Sequence, residues 1–221
     1  MIIRALSGVV MATFMLSAVY LGAPYFEIII LFIGIMAIFE WHKLILVGRP
    51  MIPNIIFMVL GVIYIVSPCL ILVLLRNHSQ FGTHFIMLFL LIIWATDIGA
   101  YVFGRLIGGY KLAPKISPNK TWSGFFGGLI SAIIAGVVFK FFFYPQIVIS
   151  IVVLTCVIIS FAGQIGDLFE SWCKRKLGVK DTSNIIPGHG GVLDRVDSIL
   201  LSSPVAGVLA VLSQYYQVSW R

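Results

Sequence analysis

From residue 84 to residue 104 the chain reads HFIMLFLLIIWATDIGAYVFG, a run whose one formally charged side chain is Asp97. A helix of about 20 predominantly apolar residues crosses the hydrocarbon core of a bilayer, so this run has the length and composition of a membrane span. The same reading extends outward in both directions. Apolar runs at 3–22, 25–46, 54–75, 123–143, 147–169 and 198–216 complete a set of about seven predicted transmembrane helices. Turn signals such as Gly22-Ala23-Pro24, Gly48-Arg49-Pro50 and Tyr144-Pro145-Gln146 separate them, and the long polar stretch from Gly108 to Asn119 reads as a loop. The expected fold class is all-α, a polytopic integral membrane protein with a single membrane domain over residues 1–221.

Composition agrees with that reading. The chain is 60% hydrophobic and 10% charged, whereas roughly a quarter of a soluble domain is charged. A net charge of +7 would suggest nucleic-acid binding in a soluble protein; here the excess of Lys and Arg that orients membrane proteins accounts for it, and no nucleic-acid partner is expected. Cys69, Cys156 and Cys173 lack disulfide or zinc spacing and read as packing residues. The first apolar run is long for a signal peptide and a second span follows at once, so it is expected to be a retained helix. Trp41, Trp94, Trp122 and Tyr101 fall near predicted span ends, where an aromatic belt is the ordinary reading.

With the N-terminus inside, twelve Lys and Arg residues lie on the cytoplasmic side and only Arg76, Lys140 and Arg221 lie outside. That asymmetry predicts a multi-pass protein of a bacterial-type plasma (inner) membrane whose N-terminus and longest polar loops are cytoplasmic. Acids have no such topological use, and within a span they are costly. Yet Asp97, Asp167, Glu170, Asp194 and Asp197, five of the eight acids, stand near the same ends of predicted helices.

Two segments carry the candidate chemistry. In GQIGDLFESWCKRK, residues 163–176, Asp167, Glu170, Ser171 and Lys174 form one polar stripe at helical spacing. Glu170 and Lys174 read most simply as an ion pair one turn apart, whereas Asp167, nearer the apolar body, calls for a metal or a buried cation. In PGHGGVLDRVDS, residues 187–198, glycines flank His189 ahead of a helix expected to begin near Val192. Gly190, Gly191 and the helix N-terminus suit phosphate binding; the competing account is that the acids of the first turn compensate the helix dipole. Lys111, Lys115, Lys120, Lys174, Arg175, Lys176 and Lys180 supply positive charge nearby. Carboxylates beside lysines suit a polyphosphate bridged by a divalent cation. Phosphoryl-type transfer of this kind needs positioning and charge neutralisation rather than a nucleophile, and the chain has no GxSxG, HExxH or Walker motif.

The run S-x-x-K-R-x4-K-D from Ser171 to Asp181, followed by P-G-H-G-G-x-x-D-R-x-D from Pro187 to Asp197, resembles the signature of the phosphatidate cytidylyltransferase (CDP-diacylglycerol synthase) family. DIGAYVFGRLIGG at 97–109 and KLAPKISPNKTWSGFFGG at 111–128 resemble further segments of that family in the same order; residues 1–80 match only as hydrophobic helices, leaving 81–221 as the catalytic part. The resemblance implies transfer of a cytidylyl group from CTP to phosphatidic acid, with Mg²⁺ as cofactor, a second, monovalent cation as a further option, and a homodimer. It implies Asp167 and Asp194 as metal ligands and Asp197 as an essential neighbour, with Lys174 joining these three in catalysis. Ser171, Lys174, Arg175, Lys180, His189 and Arg195 would contact substrate phosphates, Gly190 and Gly191 would line the same loop, and Lys120 and Thr121 would close the site. Asp97 and Glu170 are additional candidates. One departure is Ser123, which stands where the family usually has an acid; Glu170 is the candidate replacement. A CTP-dependent lipid kinase, a cytidylyltransferase for another lipid phosphate and an ion-coupled transporter are the rival readings.

Overall fold

The computed structural model describes residues 2–47, 54–78, 81–183, 185 and 190–215. Arg49, His189 and Arg221, which entered the sequence reading, lie outside them. Among the described residues seven helices run in order: α1 (Ile2–Leu21), α2 (Tyr25–Val47), α3 (Asn54–Arg76), α4 (Gly82–Leu106), α5 (Trp122–Phe143), α6 (Ile149–Lys176) and α7 (Leu193–Tyr215). Six of them, α2 to α7, are long and apolar enough to cross a membrane, and α1 adds a shorter apolar stretch over Gly8–Leu21. The chain is thus an all-α, multi-pass membrane protein, as the run at 84–104 implies. Side chains such as Leu31, Phe32, Leu74 and Phe142 are exposed on the outside of the bundle, where lipid is the matching solvent.

One element departs from the sequence expectation. The stretch between α4 and α5 is not irregular loop throughout but contains a hairpin of β1 (Lys111–Ala113) and β2 (Ser117–Thr121), antiparallel, with Lys111 opposite Thr121 and Ala113 opposite Ser117. Pro114 sits at its turn, and the Trp122 amide bonds the Tyr110 carbonyl at 3.1 Å. Strands of three and five residues are too short to show an alternating apolar pattern.

Packing has two apolar centres. Phe26, Ile86, Phe89, Ile92, Cys156 and Ile159 belong to the larger one; Trp41, Ile65, Cys173, Leu177, Leu193 and Leu200 form a second, which joins α2, α3, α6 and α7. Trp41 is therefore a core residue and no part of an interfacial belt: it is buried, stacks on Phe57 with centroids 4.8 Å apart, and its indole donates to the Phe57 carbonyl. All three cysteines are free, and Cys156 and Cys173 are buried.

Helices meet where side chains are absent. A Cβ on Gly124 of α5 would lie 2.7 Å from the Ala100 carbonyl of α4, and one on Gly166 of α6 would lie 2.7 Å from the Asp197 carbonyl of α7. Small residues let helix backbones approach closely in a bilayer, where apolar burial gives little drive between helices. These contacts bring the C-terminal halves of α4 and α6 and the N-terminal turns of α5 and α7 to one end of the bundle, with the hairpin over them.

Candidate active site

Asp97, Asp167 and Asp197 come together because their helices are locked beside them. The Thr96 hydroxyl hydrogen-bonds Ser160 at 2.8 Å, joining α4 to α6 one residue before Asp97. Gly166 immediately precedes Asp167 and touches the backbone of Asp197. Asp97 accordingly faces Asp167 as a like charge, with Lys120 and Arg195 as opposing charges. Asp197 faces Asp167, Glu170 and Asp97, and its carboxylate accepts the Ser198 amide at 2.7 Å. Lys120, carried by β2, pairs with Asp167 at 2.5 Å, and the Ser171 hydroxyl donates to Asp167 at 3.4 Å. Asp97 is exposed, while Asp167, Asp197 and Lys120 are half-buried. Three acids from three helices thus form, with two cations, a partly exposed acidic cluster, the groove.

A second polar centre, around Lys174 and Asp194, is sealed. Glu170, Lys174, Thr182 and Asp194 are all buried, and Glu40 of α2 has no exposed surface at all. The Lys174 ammonium donates to Asp194 Oδ1 at 2.5 Å and to Glu170 Oε1 at 3.1 Å. Asp194 Oδ2 accepts the Thr182 and Gly191 amides, each at 2.9 Å, and lies 2.8 Å from the Thr182 hydroxyl. Glu40 accepts the amides of Val192 at 2.9 Å and Leu193 at 2.8 Å, together with the Ser183 hydroxyl at 2.6 Å. Helix N-termini leave backbone donors that need acceptors. At α7 the chain's own carboxylates meet that need.

The glycines have a packing reason here. Gly190 adopts φ +83°, a left-handed conformation suited to glycine, and a Cβ on Gly191 would lie 2.0 Å from the Thr182 hydroxyl and 2.5 Å from Glu40. The expectation that this turn offers free amides to phosphate is corrected for Gly191, Val192 and Leu193, whose amides are spent on Asp194 and Glu40. Compensation by an acid of the first turn describes Gly191, which bonds Asp194, whereas Val192 and Leu193 are served by an acid from α2.

The remaining candidates divide by the same boundary. Lys174, expected on substrate phosphate, points inward between two acids. Both oxygens of Asp194 are engaged by protein donors. Thr121 is buried as the N-cap of α5, accepting the Gly124 amide at 3.1 Å. Arg175 reaches across to the Ile116 carbonyl at 3.2 Å, tying the hairpin to the end of α6. Lys180 and Arg195 are exposed. Ser123, in the place of the family's acid, bonds the Gly108 carbonyl and the Thr121 hydroxyl, which closes the loop between α4 and α5. Glu170 is held by Lys174, so it serves the sealed centre.

Sequence reasoning missed Glu40, Tyr64, Thr182 and Ser183. The cost of an acid within an apolar run, the argument applied to Asp97, points equally at Glu40 in the run 25–46. Tyr64 packs edge-on to Phe169 at 5.5 Å and its buried hydroxyl has no hydrogen-bond partner among the described residues, nor does Glu170 Oε2. Nothing in the sequence distinguishes such a tyrosine from an ordinary packing residue.

The donors of the groove are oxygens. Among the described residues no three His, Cys, Asp or Glu side chains converge as a ready-made metal cage. Mg²⁺ is commonly held by one or two carboxylates together with waters and substrate phosphates, and Asp167 and Asp197, each partly exposed, are carboxylates of the type such an ion takes.

The chain is similar to known proteins over most of its length. Residues 47–213 match the model of the cytidylyltransferase family. The chain is 36% identical over 210 residues to a phosphatidate cytidylyltransferase of Rickettsia bellii, covering 92% of this chain and 87% of that protein. The corresponding protein of Rickettsia felis is 36% identical over 217 residues, 95% of this chain and 92% of that protein. A phosphatidate cytidylyltransferase of Staphylococcus haemolyticus is 49% identical over 130 residues, which is 59% of this chain and half of that protein.

Proposed function

This chain belongs to the cytidylyltransferase family, and on that premise we propose that it transfers the cytidylyl group of CTP to phosphatidic acid, yielding CDP-diacylglycerol and pyrophosphate. The observation that carries the proposal is the charge cluster: Asp97, Asp167 and Asp197 from three helices, faced by Lys120 and Arg195, at one end of a membrane bundle. A lipid phosphate can reach such a cluster while its acyl chains stay among the exposed apolar helix faces.

In this reading a phosphatidate oxygen attacks the CTP α-phosphorus in line, and the bond to pyrophosphate breaks with no covalent enzyme intermediate. Asp167 and Asp197, with Asp97 beside them, are the residues that would hold Mg²⁺, which when bound neutralises phosphate charge and stabilises the leaving group. Lys120 moves between Asp167 and an incoming phosphate, and Arg195, exposed one residue after Asp194, serves the triphosphate from the α7 side. Arg175 holds the hairpin, and hence Lys120, over the groove. Preorganised charges of this sort are worth most when they aim at charge that develops in the transition state. The sealed centre takes no part in bond making; it sets where α7 begins and so where Asp197 stands.

Orientation with this end in the cytoplasm rests on the Lys and Arg asymmetry. A monovalent second cation and a homodimer rest on the family resemblance. The deciding assay is pyrophosphate release by the purified chain given CTP and phosphatidate in mixed micelles, with Mg²⁺ and with EDTA. Pyrophosphate and CDP-diacylglycerol that vanish on chelation are the expected products; release of CDP would make the protein a lipid kinase instead, and CTP consumption independent of phosphatidate would remove the lipid from the reaction.

A further inference from the structure

Glu40 lies on α2, upstream of the 47–213 segment that matches the family, and none of the catalytic expectations includes it. It is a carboxylate with no exposed surface, inside a predicted span, and among the described residues it makes no ion pair. A charge so placed is costly unless donors surround it. Here they do. Oε1 accepts the Ser183 hydroxyl at 2.6 Å and the Val192 amide at 2.9 Å; Oε2 accepts the Leu193 amide at 2.8 Å and lies 3.1 Å from the Thr182 hydroxyl. The single proton of that hydroxyl serves Glu40 or Asp194, which is 2.8 Å away.

These donors sit on both sides of the 184–189 segment, which precedes α7 in the sequence. Thr182 and Ser183 come before it and Val192 and Leu193 after it, so one side chain from a different helix pins its two ends together. Gly191 is pressed so closely onto Glu40 that no Cβ fits. The pinned end of α7 carries Asp194, whose bonds to Lys174 and Thr182 complete the sealed centre, and one turn further on it carries Asp197 in the groove. We propose that Glu40 is a positioning residue for the transfer reaction: it ties Thr182 and Ser183 to the start of α7, and so fixes the placement of Asp197 and Arg195, without touching substrate. This proposal rests on the function given above.

Glu40→Gln isolates the role, because it keeps size and shape but turns an acceptor into an NH₂ group facing a backbone N–H. The full-length protein is purified in detergent and followed by hydrogen exchange at the 182–193 segment and by steady-state kinetics. We expect exchange at Val192 and Leu193 to quicken at least tenfold with α4 and α5 unchanged. We expect kcat to fall about 10²-fold with KM for CTP changed less than about threefold, since a small misplacement far from the chemistry has that scale of effect on turnover. Glu27→Gln, on the same helix at the opposite end and bonded to Asn77, should match the wild type in both readouts.

Unchanged exchange in Glu40→Gln overturns the clamp. Faster exchange with wild-type kcat overturns positioning and leaves only a structural bond. Should Glu40→Gln fail to fold, Ser183→Ala removes one donor alone and should lower kcat several-fold with the same local exchange signature; a wild-type result from it overturns the proposal. If the wild-type chain transfers no cytidylyl group at all, the functional reading fails, positioning fails with it, and the exchange data still decide the clamp.

Discussion

Two polar centres less than two helical turns apart along α6 are built on opposite principles. Around Asp167 the carboxylates are half-buried or exposed, like charges face one another, and among the described residues only Lys120 forms an ion pair with them. Around Asp194 the charged side chains are buried, and almost every oxygen has a donor. The first centre has carboxylate charge that the chain's own donors leave largely unmatched. The second has spent its charge on the chain itself, and rigidity is what it can offer. A buried ion pair adds little net stability compared with apolar packing, but breaking one is expensive because a charge is stranded. The comparison therefore predicts activity loss without unfolding in the groove and loss of both in the sealed centre.

The largest effect should come from Asp194→Ala, which strands Lys174 with Glu170 and frees the Thr182 and Gly191 amides. It should cost about 3–5 kcal/mol of stability, read as an unfolding midpoint in detergent, with activity falling alongside. A normal midpoint with abolished turnover would instead move Asp194 into the groove as the metal ligand that the signature implies. Next comes Asp167→Asn. Turnover should drop about 10²- to 10³-fold, the scale of one lost electrostatic contact to a transition state. The midpoint should barely move, since a partly exposed pair such as Lys120–Asp167 contributes at most about 1 kcal/mol. Unfolding of this variant would erase the distinction between the two centres.

Gly191→Ala forces a methyl against Thr182 and Glu40 and should cost about 1–3 kcal/mol by overpacking. Pairing it with Ser183→Ala should not restore stability, because the clash is with Thr182 and Glu40; measured recovery would mean that the loop repacks freely. Smallest is Ser123→Ala, where loss of the bonds to Gly108 and Thr121 should cost about 1 kcal/mol and leave turnover within a few-fold. A loss of turnover above tenfold there would make Ser123 a functional stand-in for the family's acid and extend the groove to α5.

The membrane class was legible from hydrophobic run lengths alone, because a bilayer of fixed thickness imposes a length on each span. The helical extension of α6 to Lys176 was legible too, from the polar stripe at 167, 170, 171 and 174. Residue type likewise marked Asp97, Asp167, Glu170, Asp194 and Asp197, since acids are too costly near a span to be incidental. What residue type could not divide was this set of five. Whether a carboxylate is open or spent depends on which donors other helices bring to it, and those come from far along the chain: Glu40 meets Leu193, Lys174 meets Asp194, Thr96 meets Ser160. The Gly-His-Gly-Gly turn is the clearest case. Its spacing announces a helix N-terminus that wants an anion, but only the approach of α2 decides that Glu40 serves as one. Local pattern specifies the need for a partner, and tertiary packing chooses it, because a hydrogen bond is made by proximity in space and carries no record of separation in sequence.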